Sequence, residues 1–191
     1  MKRAAVFLIA GTVCAQIFAP GFAQIGHPPV NADAVVIQDF EKRVAAYLQL
    51  RKSIESKLLR LKSTPSQEKI AQHGNELRSA VREARKNAGP GDIFTAEIAA
   101  EIRRLTATAV QQGDGDHIGQ SLRHAEPVQL HLEINDSYPV DRVPLQSTPP
   151  SLLENLPALP SEIEYRITGR DLVLLDAKAN LIIDVIRGLF S

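Results

Sequence analysis

The first half of the chain follows a helical pattern of apolar and polar positions. Between residues 33 and 62, apolar side chains recur at alternating intervals of three and four residues, as in a helix that buries one face. The repeat resembles the seam of a coiled coil. It predicts one long helix whose wide apolar stripe needs more than one partner surface. The seam positions are Ile37, Phe40, Val44, Tyr47, Arg51, Ile54, Leu58 and Leu61.

Two further helices are predicted after the first. Thr64 is a candidate N-cap before Pro65 and opens a second helix that runs to about Lys86. Because the connection between these helices is short, we expect them to lie antiparallel as a helical hairpin. A third helix, capped by Thr95, is predicted to run to about Gln112 and to cover the open part of the stripe. The predicted buried positions are Ile70, Leu77, Val81 and Ala84, then Ile98, Ile102, Leu105 and Ala109.

Beyond Pro127 the period changes from helical to alternating. Residues 128–135 predict a half-buried strand. Residues 136–160 hold six of the twelve prolines and predict an extended connection that packs on its own domain, with a short helix at 149–156 opened by Thr148. Three more strands are predicted as an antiparallel meander, which the strand at 128–135 can join. They are expected at 163–167, 172–175 and 181–186, with a tight turn at 168–171.

These patterns predict an α+β fold. An N-terminal antiparallel helical hairpin and a third helix pack beside a small C-terminal antiparallel β-meander. The predicted organisation is a signal peptide at 1–23, a flexible leader at 24–32, a helical region at 33–126 and a β-containing region at 127–191 with a proline-rich connection.

The N-terminus has the layout of a secretory signal peptide. Lys2 and Arg3 precede a short apolar run at 4–13, and small residues stand at the two positions that a signal peptidase reads. The predicted cleavage lies between Ala23 and Gln24. The apolar run is shorter than the roughly 20 residues that span a bilayer. The sequence therefore predicts an exported chain, periplasmic or extracellular, with no transmembrane span after processing.

Cys14 is the one cysteine, and it lies inside the predicted signal peptide. An alternative interpretation makes it the lipidated first residue of a lipoprotein, although Gly11 and Val13 fit the lipidation motif poorly. Cleavage after Ala23 leaves no cysteine, which excludes disulfides, thiolate metal sites and cysteine nucleophiles from the mature chain. Loss of Lys2 and Arg3 leaves 20 basic and 22 acidic residues, a net charge of −2, so nucleic acid is not an expected partner.

Candidate chemistry is sparse, and we expect no cofactor. His117, His124 and His131 are spaced seven apart, but Pro127 interrupts any common helix, so a solvated loop is favoured over a metal site. Three carboxylates flank the last two predicted strands and are candidates for acid–base hydrolysis. The favoured interpretation is local: Asp171 closes the turn at Gly169, and Asp176 caps the next turn. These carboxylates are Asp171, Asp176 and Asp184.

Arg51 is the one charged residue in the seam of the first helix. Two interpretations are open. Its side chain can extend to solvent and pair with an acid of the second helix such as Glu76. It can instead fix register or select a partner, as buried polar residues do in coiled coils. In the second helix, Arg82, Arg85 and Lys86 are expected to complement the helix dipole.

The C-terminal forty residues resemble an uncharacterised group of exported bacterial proteins. The matching residues are Leu156, Pro157, Leu159 and Pro160, then Glu164, Tyr165 and Arg166, then Gly169 to Leu172, and finally Asp176, Ala179 to Ile182 and Asp184, with a further match at 91–95. The resemblance implies export and a shared architecture. It implies no activity, ligand or site residue.

The sequence thus favours an exported, non-enzymatic scaffold or interaction protein of the cell envelope. Its helical hairpin would bind another envelope protein or a second copy of the chain. One alternative is an envelope hydrolase that uses the carboxylates of the C-terminal strands, and another is a lipoprotein anchored through Cys14.

Overall fold

A computed structural model describes residues 31–58, 65–111, 132–139 and 150–190 of the 191-residue chain. The predicted signal peptide with its Ala23–Gln24 cleavage site, most of the leader, Cys14 and the three spaced histidines lie outside these residues. From Asn31 onward the described residues belong to one compact unit. Within the described ranges, no helix is long and apolar enough to cross a membrane.

The first helix, α1, spans Ala32–Glu55, and the side chain of its N-cap Asn31 accepts from the backbone N–H of Asp33. The predicted seam is confirmed in its central part, because the buried residues of α1 are Phe40, Val44, Tyr47, Leu48 and Arg51. Ile37, Ile54 and Leu58 are half-buried, and Leu61 lies outside the described residues. The predicted C-terminus near Lys62 is wrong. The helix ends at Glu55 and continues as turns to Leu58.

The second helix, α2, spans Gln67–Ala84. Its N-cap is Ser66 rather than the predicted Thr64, since the Ser66 hydroxyl accepts from the backbone N–H of Lys69. Leu77 and Val81 are buried as predicted, whereas Ile70 is 51% exposed and Ala84 is exposed. The helix therefore meets the core through its second half. α1 and α2 pack together, so the hairpin is seen in part, and its connection at 59–64 lies outside the described residues.

The third helix, α3, spans Ala96–Ala109, and Thr95 is its N-cap, as predicted. Arg104 of α3 pairs with Asp33 at the start of α1 over 3.2 Å, and Arg43 of α1 donates to the carbonyl of Asp92 just before α3. These two contacts fix α3 antiparallel to α1. The rings of Phe40 and Phe94 stack at 5.7 Å between centroids. The predicted cover of α1 by α3 is confirmed.

A one-turn helix, α4, spans Pro150–Leu153, inside the range predicted for a short helix. Leu156 and Pro157 after it are buried, and residues 157–160 have no regular secondary structure. The carbonyl of Pro157 accepts from the Tyr165 hydroxyl over 3.0 Å, so this proline-rich segment packs on its own domain as expected.

The meander is confirmed. The strands β1 (Ile163–Thr168), β2 (Asp171–Asp176) and β3 (Leu181–Ile186) form an antiparallel sheet in the order β1-β2-β3. Register shifts between Leu174 and Leu175, where Ile183 of β3 has no partner on β2, as in a β-bulge. One face of the sheet joins the helices in the main hydrophobic core, and the other packs on a smaller core with Leu132 and Tyr138.

The strand predicted at 128–135 is wrong where it is described. Residues 132–139, which we call the strap, run along the outer edge of β3 and form no regular strand. The chain turns at Ile134 and Asn135, and Asn135 has a positive φ of 68°. One isolated bridge joins Ser137 to Leu181. The turn at the left-handed Asn135 interrupts the alternation that the sequence suggested.

Candidate functional site

A cluster of buried polar side chains lies where α1 meets the sheet. Arg51 projects from the buried face of α1, and Asp176 ends β2 on the face of the sheet that meets the helices. The guanidinium Nε and the carboxylate Oδ2 are 3.2 Å apart, and the side chains are 1% and 0% exposed. Two more acids reach Arg51 from its outer side, Glu162 at 3.4 Å and Glu55 at 3.5 Å. The guanidinium therefore faces three carboxylates.

The predicted pairing of Arg51 with Glu76 is wrong. Glu76 accepts from Gln72 on the exposed surface of α2. Arg51 instead faces Glu162 and Asp176 of the C-terminal region. This placement favours the interpretation in which Arg51 fixes register, because its charge faces the sheet of its own chain.

Asp176 is held by side-chain and backbone donors at once. The Tyr47 hydroxyl donates to its Oδ2 over 2.6 Å, and the backbone N–H groups of Lys178 and Ala179 donate to its Oδ1 over 3.0 Å each. The predicted turn-capping role of Asp176 is confirmed. Burial, and then the charge of Asp176, raises the pKa of Tyr47 far above its ordinary value, so this phenol stays neutral.

Arg85 also belongs to this cluster, although its position near the end of α2 predicted only that it complements the helix dipole. Its guanidinium lies 5.2 Å from the centre of the Tyr47 ring, a cation–π contact. It donates to the carbonyl of Ile183 over 3.0 Å, and burial lowers its pKa. The helical period contained the signal: Arg85 follows Leu77 and Val81 at intervals of four and lies on their buried face.

Backbone N–H groups form a second buried anion-binding site, which the Asp184 carboxylate occupies. Its carboxylate accepts from the N–H groups of Ile93 and Phe94 over 2.8 Å each, and from Gly91 over 3.3 Å. A further bond comes from Val185 over 2.8 Å. Successive N–H groups in a turn form such anion-binding concavities. Asp184 thereby fastens the segment that precedes α3 to the edge strand β3.

Asp171 lies apart from the other two carboxylates. It is at the opposite end of β2 from Asp176, about 17 Å away along a six-residue strand. The predicted closure of the Gly169 turn by Asp171 is wrong, since its side chain accepts from Arg187 over 2.7 Å and from the backbone of Gly188 over 2.9 Å. The three aspartates do not meet in one cleft.

Two open grooves lie on the described surface. One, of about 360 Å³, runs between the proline-rich segment and β1 and is lined by Leu153, Leu159 and Arg166 among others. The other, of about 720 Å³, lies between the end of α1 and α2 and is lined by Leu58, Ala71, Glu76 and neighbouring residues of α2. Across the described ranges, no three His, Cys, Asp or Glu side chains form a group that could hold a metal ion.

Comparison of the chain with known protein families, curated proteins and solved structures finds no match.

Proposed function

We propose that this chain is an exported, non-enzymatic scaffold or interaction protein of the cell envelope. The signal sequence supports export, to the periplasm or beyond the cell. The observation that carries the binding role is the outward surface of the helical hairpin. Of the 18 residues of α2, only Leu77 and Val81 are buried. Most of this helix is therefore available to another protein.

Exposed apolar side chains on both helices of the hairpin support the same proposal. Among the described residues, the large hydrophobic side chains on the outside include Val35 and Leu50 of α1 and Ile70 of α2, and none of them belongs to the sheet. Ile70 stands one position from Ala71, which lines the 720 Å³ groove. Apolar area with a polar rim is the usual composition of a protein-binding surface. The partner is another envelope protein or a second copy of this chain.

The placement of the aspartates supports binding over hydrolysis. An envelope hydrolase built on Asp171, Asp176 and Asp184 would need carboxylates that reach a substrate. Asp176 and Asp184 are both 0% exposed, and both accept backbone N–H groups. These groups hold the fold, so the hydrolase is the weaker alternative.

Charged substitutions on the hairpin test the proposal. Leu50→Asp and Ile70→Asp, made together, place carboxylates at two exposed apolar positions, and Leu153→Asp is the matched control on α4, where the side chain is 43% exposed. We expect the double variant to lose at least tenfold in partner capture from native envelope extract, or in self-association by light scattering. The control should behave as the unmodified chain. Equal binding by all three proteins would contradict the proposal.

Mass spectrometry of the exported protein tests the leader. The proposal expects a mature chain that begins at Gln24. A lipidated chain that begins at Cys14 would contradict it and favour the lipoprotein alternative.

A further inference from the structure

The strap supplies the backbone partners of the outer edge of β3. The N–H of Asn135 donates to the carbonyl of Ile182 over 2.8 Å, and the N–H of Ile182 donates to the carbonyl of Asp136 over 2.9 Å. The side-chain amide of Asn180 also donates to the Tyr138 carbonyl over 3.0 Å. An unpaired strand edge is a template for another chain, so this contact covers a reactive part of the sheet.

Side chains protect the rest of that edge. At the bulge, the carbonyl of Ile183 accepts from Arg85, and the N–H of Val185 donates to the Asp184 carboxylate. These groups are satisfied without any strand beside them. The position of Ile182 is therefore where backbone pairing with another segment takes place.

Three arginines on one face of α2 and its C-cap contact the strap. Arg78, Arg82 and Arg85 are spaced by four and three residues and project from one side of the helix. Arg78 donates to the Ser137 hydroxyl over 3.0 Å, and Arg85 donates to the Asn135 side-chain oxygen over 3.1 Å. Arg82 lies 3.8 Å from the Asp136 carboxylate. Each arginine thus contacts one of three consecutive strap residues, Asn135, Asp136 and Ser137.

Two apolar side chains anchor the strap underneath. Leu132 is 5% exposed and Tyr138 is 1% exposed, and both pack on the face of the sheet that points away from the helices. The Tyr138 hydroxyl lies 3.3 Å from that of Thr168. The site along β3 therefore binds a segment that has apolar residues at both ends and an amide, an acid and a hydroxyl side chain between them.

We propose that this site is a strand-docking site which the strap occupies within its own chain, and that the strap of a second copy fits it equally well. Identical residues make identical contacts, so the two arrangements differ in effective concentration and in connection. Exchange of an identical element is a low-cost route to a dimer. The strap is then an autoinhibitory contact: it closes β3 in one copy and opens the way to a swapped pair when it is released. This inference concerns the sheet and does not depend on the hairpin surface.

A labelled peptide with the sequence of residues 131–140 serves as the second strap. Its binding to the full mature chain is followed by fluorescence anisotropy. Tyr138→Ala weakens the chain's own strap and leaves the docking site intact, so we expect it to bind the peptide at least tenfold more tightly than the unmodified chain. Ser137→Ala, which removes only the hydroxyl that Arg78 binds, is the milder variant to use if Tyr138→Ala does not fold.

The docking side is tested in the same weakened background. Adding Arg78→Ala should reduce peptide binding at least tenfold, whereas adding Arg43→Ala on α1 should not change it. Refolding the unmodified chain at high concentration should give a dimer by light scattering, whereas refolding at low concentration should give the monomer. The proposal is overturned if neither weakened variant binds the peptide saturably, or if Arg78→Ala and Arg43→Ala have the same effect.

Discussion

Burying Arg51 and Asp176 costs desolvation energy, and the attraction between the two charges offsets only part of it in this geometry. The guanidinium Nε is near Oδ2 without an aligned hydrogen bond, whereas Asp176 is well supplied by Tyr47 and two backbone N–H groups. Replacing one member of such a pair is costly because the other charge stays buried. We infer that the pair contributes to specificity, by favouring one position of α1 on the sheet.

Asp176→Asn should therefore destabilise the chain strongly. The amide keeps the size of the side chain but leaves Arg51 without its buried counter-charge, so we expect the free energy of unfolding to fall by about 3 kcal/mol. Urea denaturation measures the change. The exposed pair of Lys86 and Glu83 is the control, since Glu83→Gln should cost under about 0.5 kcal/mol. Similar small losses for both variants would contradict the assigned role of Asp176.

Because the pKa of Tyr47 is raised in the folded chain, we expect the chain to lose stability at alkaline pH. Burial and Asp176 raise its pKa above the ordinary value of 10.0, and burial raises the pKa of Tyr165 as well. Below pH 10 both phenols are neutral whether the chain is folded or unfolded. Above pH 10 they ionise only in the unfolded chain, so each lowers the free energy of unfolding by up to about 1.4 kcal/mol per pH unit.

Urea titrations between pH 9 and pH 11.5 measure that slope. Tyr47→Phe removes one of the two groups and should make the decline about half as steep. An unchanged slope in Tyr47→Phe would show that Tyr47 ionises as readily in the folded chain as in the unfolded one.

At the scale of elements, the sequence predicted the three-stranded meander and the seam of α1, because each rests on a local period. Contacts between different elements join residues that are far apart in the sequence. Tyr47 and Asp176 are 129 residues apart, and no period states which residues two elements bring together. Arg51 was therefore paired with the wrong acid. The start of α2 was misplaced because Thr64 and Ser66 are both residue types that cap helices well, and the sequence pattern did not distinguish them.

In α2, the apolar period of the sequence extends further along the helix than the buried residues do. Ile70 continues the apolar face of Leu77, yet the core ends before it. Leu77→Ala should lower the free energy of unfolding by about 2–5 kcal/mol, because it leaves a cavity at a side chain that is 1% exposed. Ile70→Ala, at 51% exposure, should change it by less than about 0.5 kcal/mol. Comparable losses in urea denaturation would mean that the first half of α2 is packed.

At the scale of the whole molecule, polar contacts fasten the helices to the sheet at three points. Arg51 meets Asp176 at one end of β2, Arg85 meets Ile183 at the bulge, and Asp184 binds the backbone ahead of α3. The interaction role that we propose depends on such fastening, because the outer helices must keep their shape while they bind. Two of the three candidate catalytic aspartates, Asp176 and Asp184, instead hold the helical part to the sheet.

Native-state hydrogen exchange tests this claim most directly. If the helices and the meander unfold as one unit, the slowest amides of α1 and of β2 exchange with the same free energy of opening, and Asp184→Asn lowers both by the same amount. Exchange in which Asp184→Asn affects only the segment at 91–95, with α1 and β2 opening independently, would contradict the account.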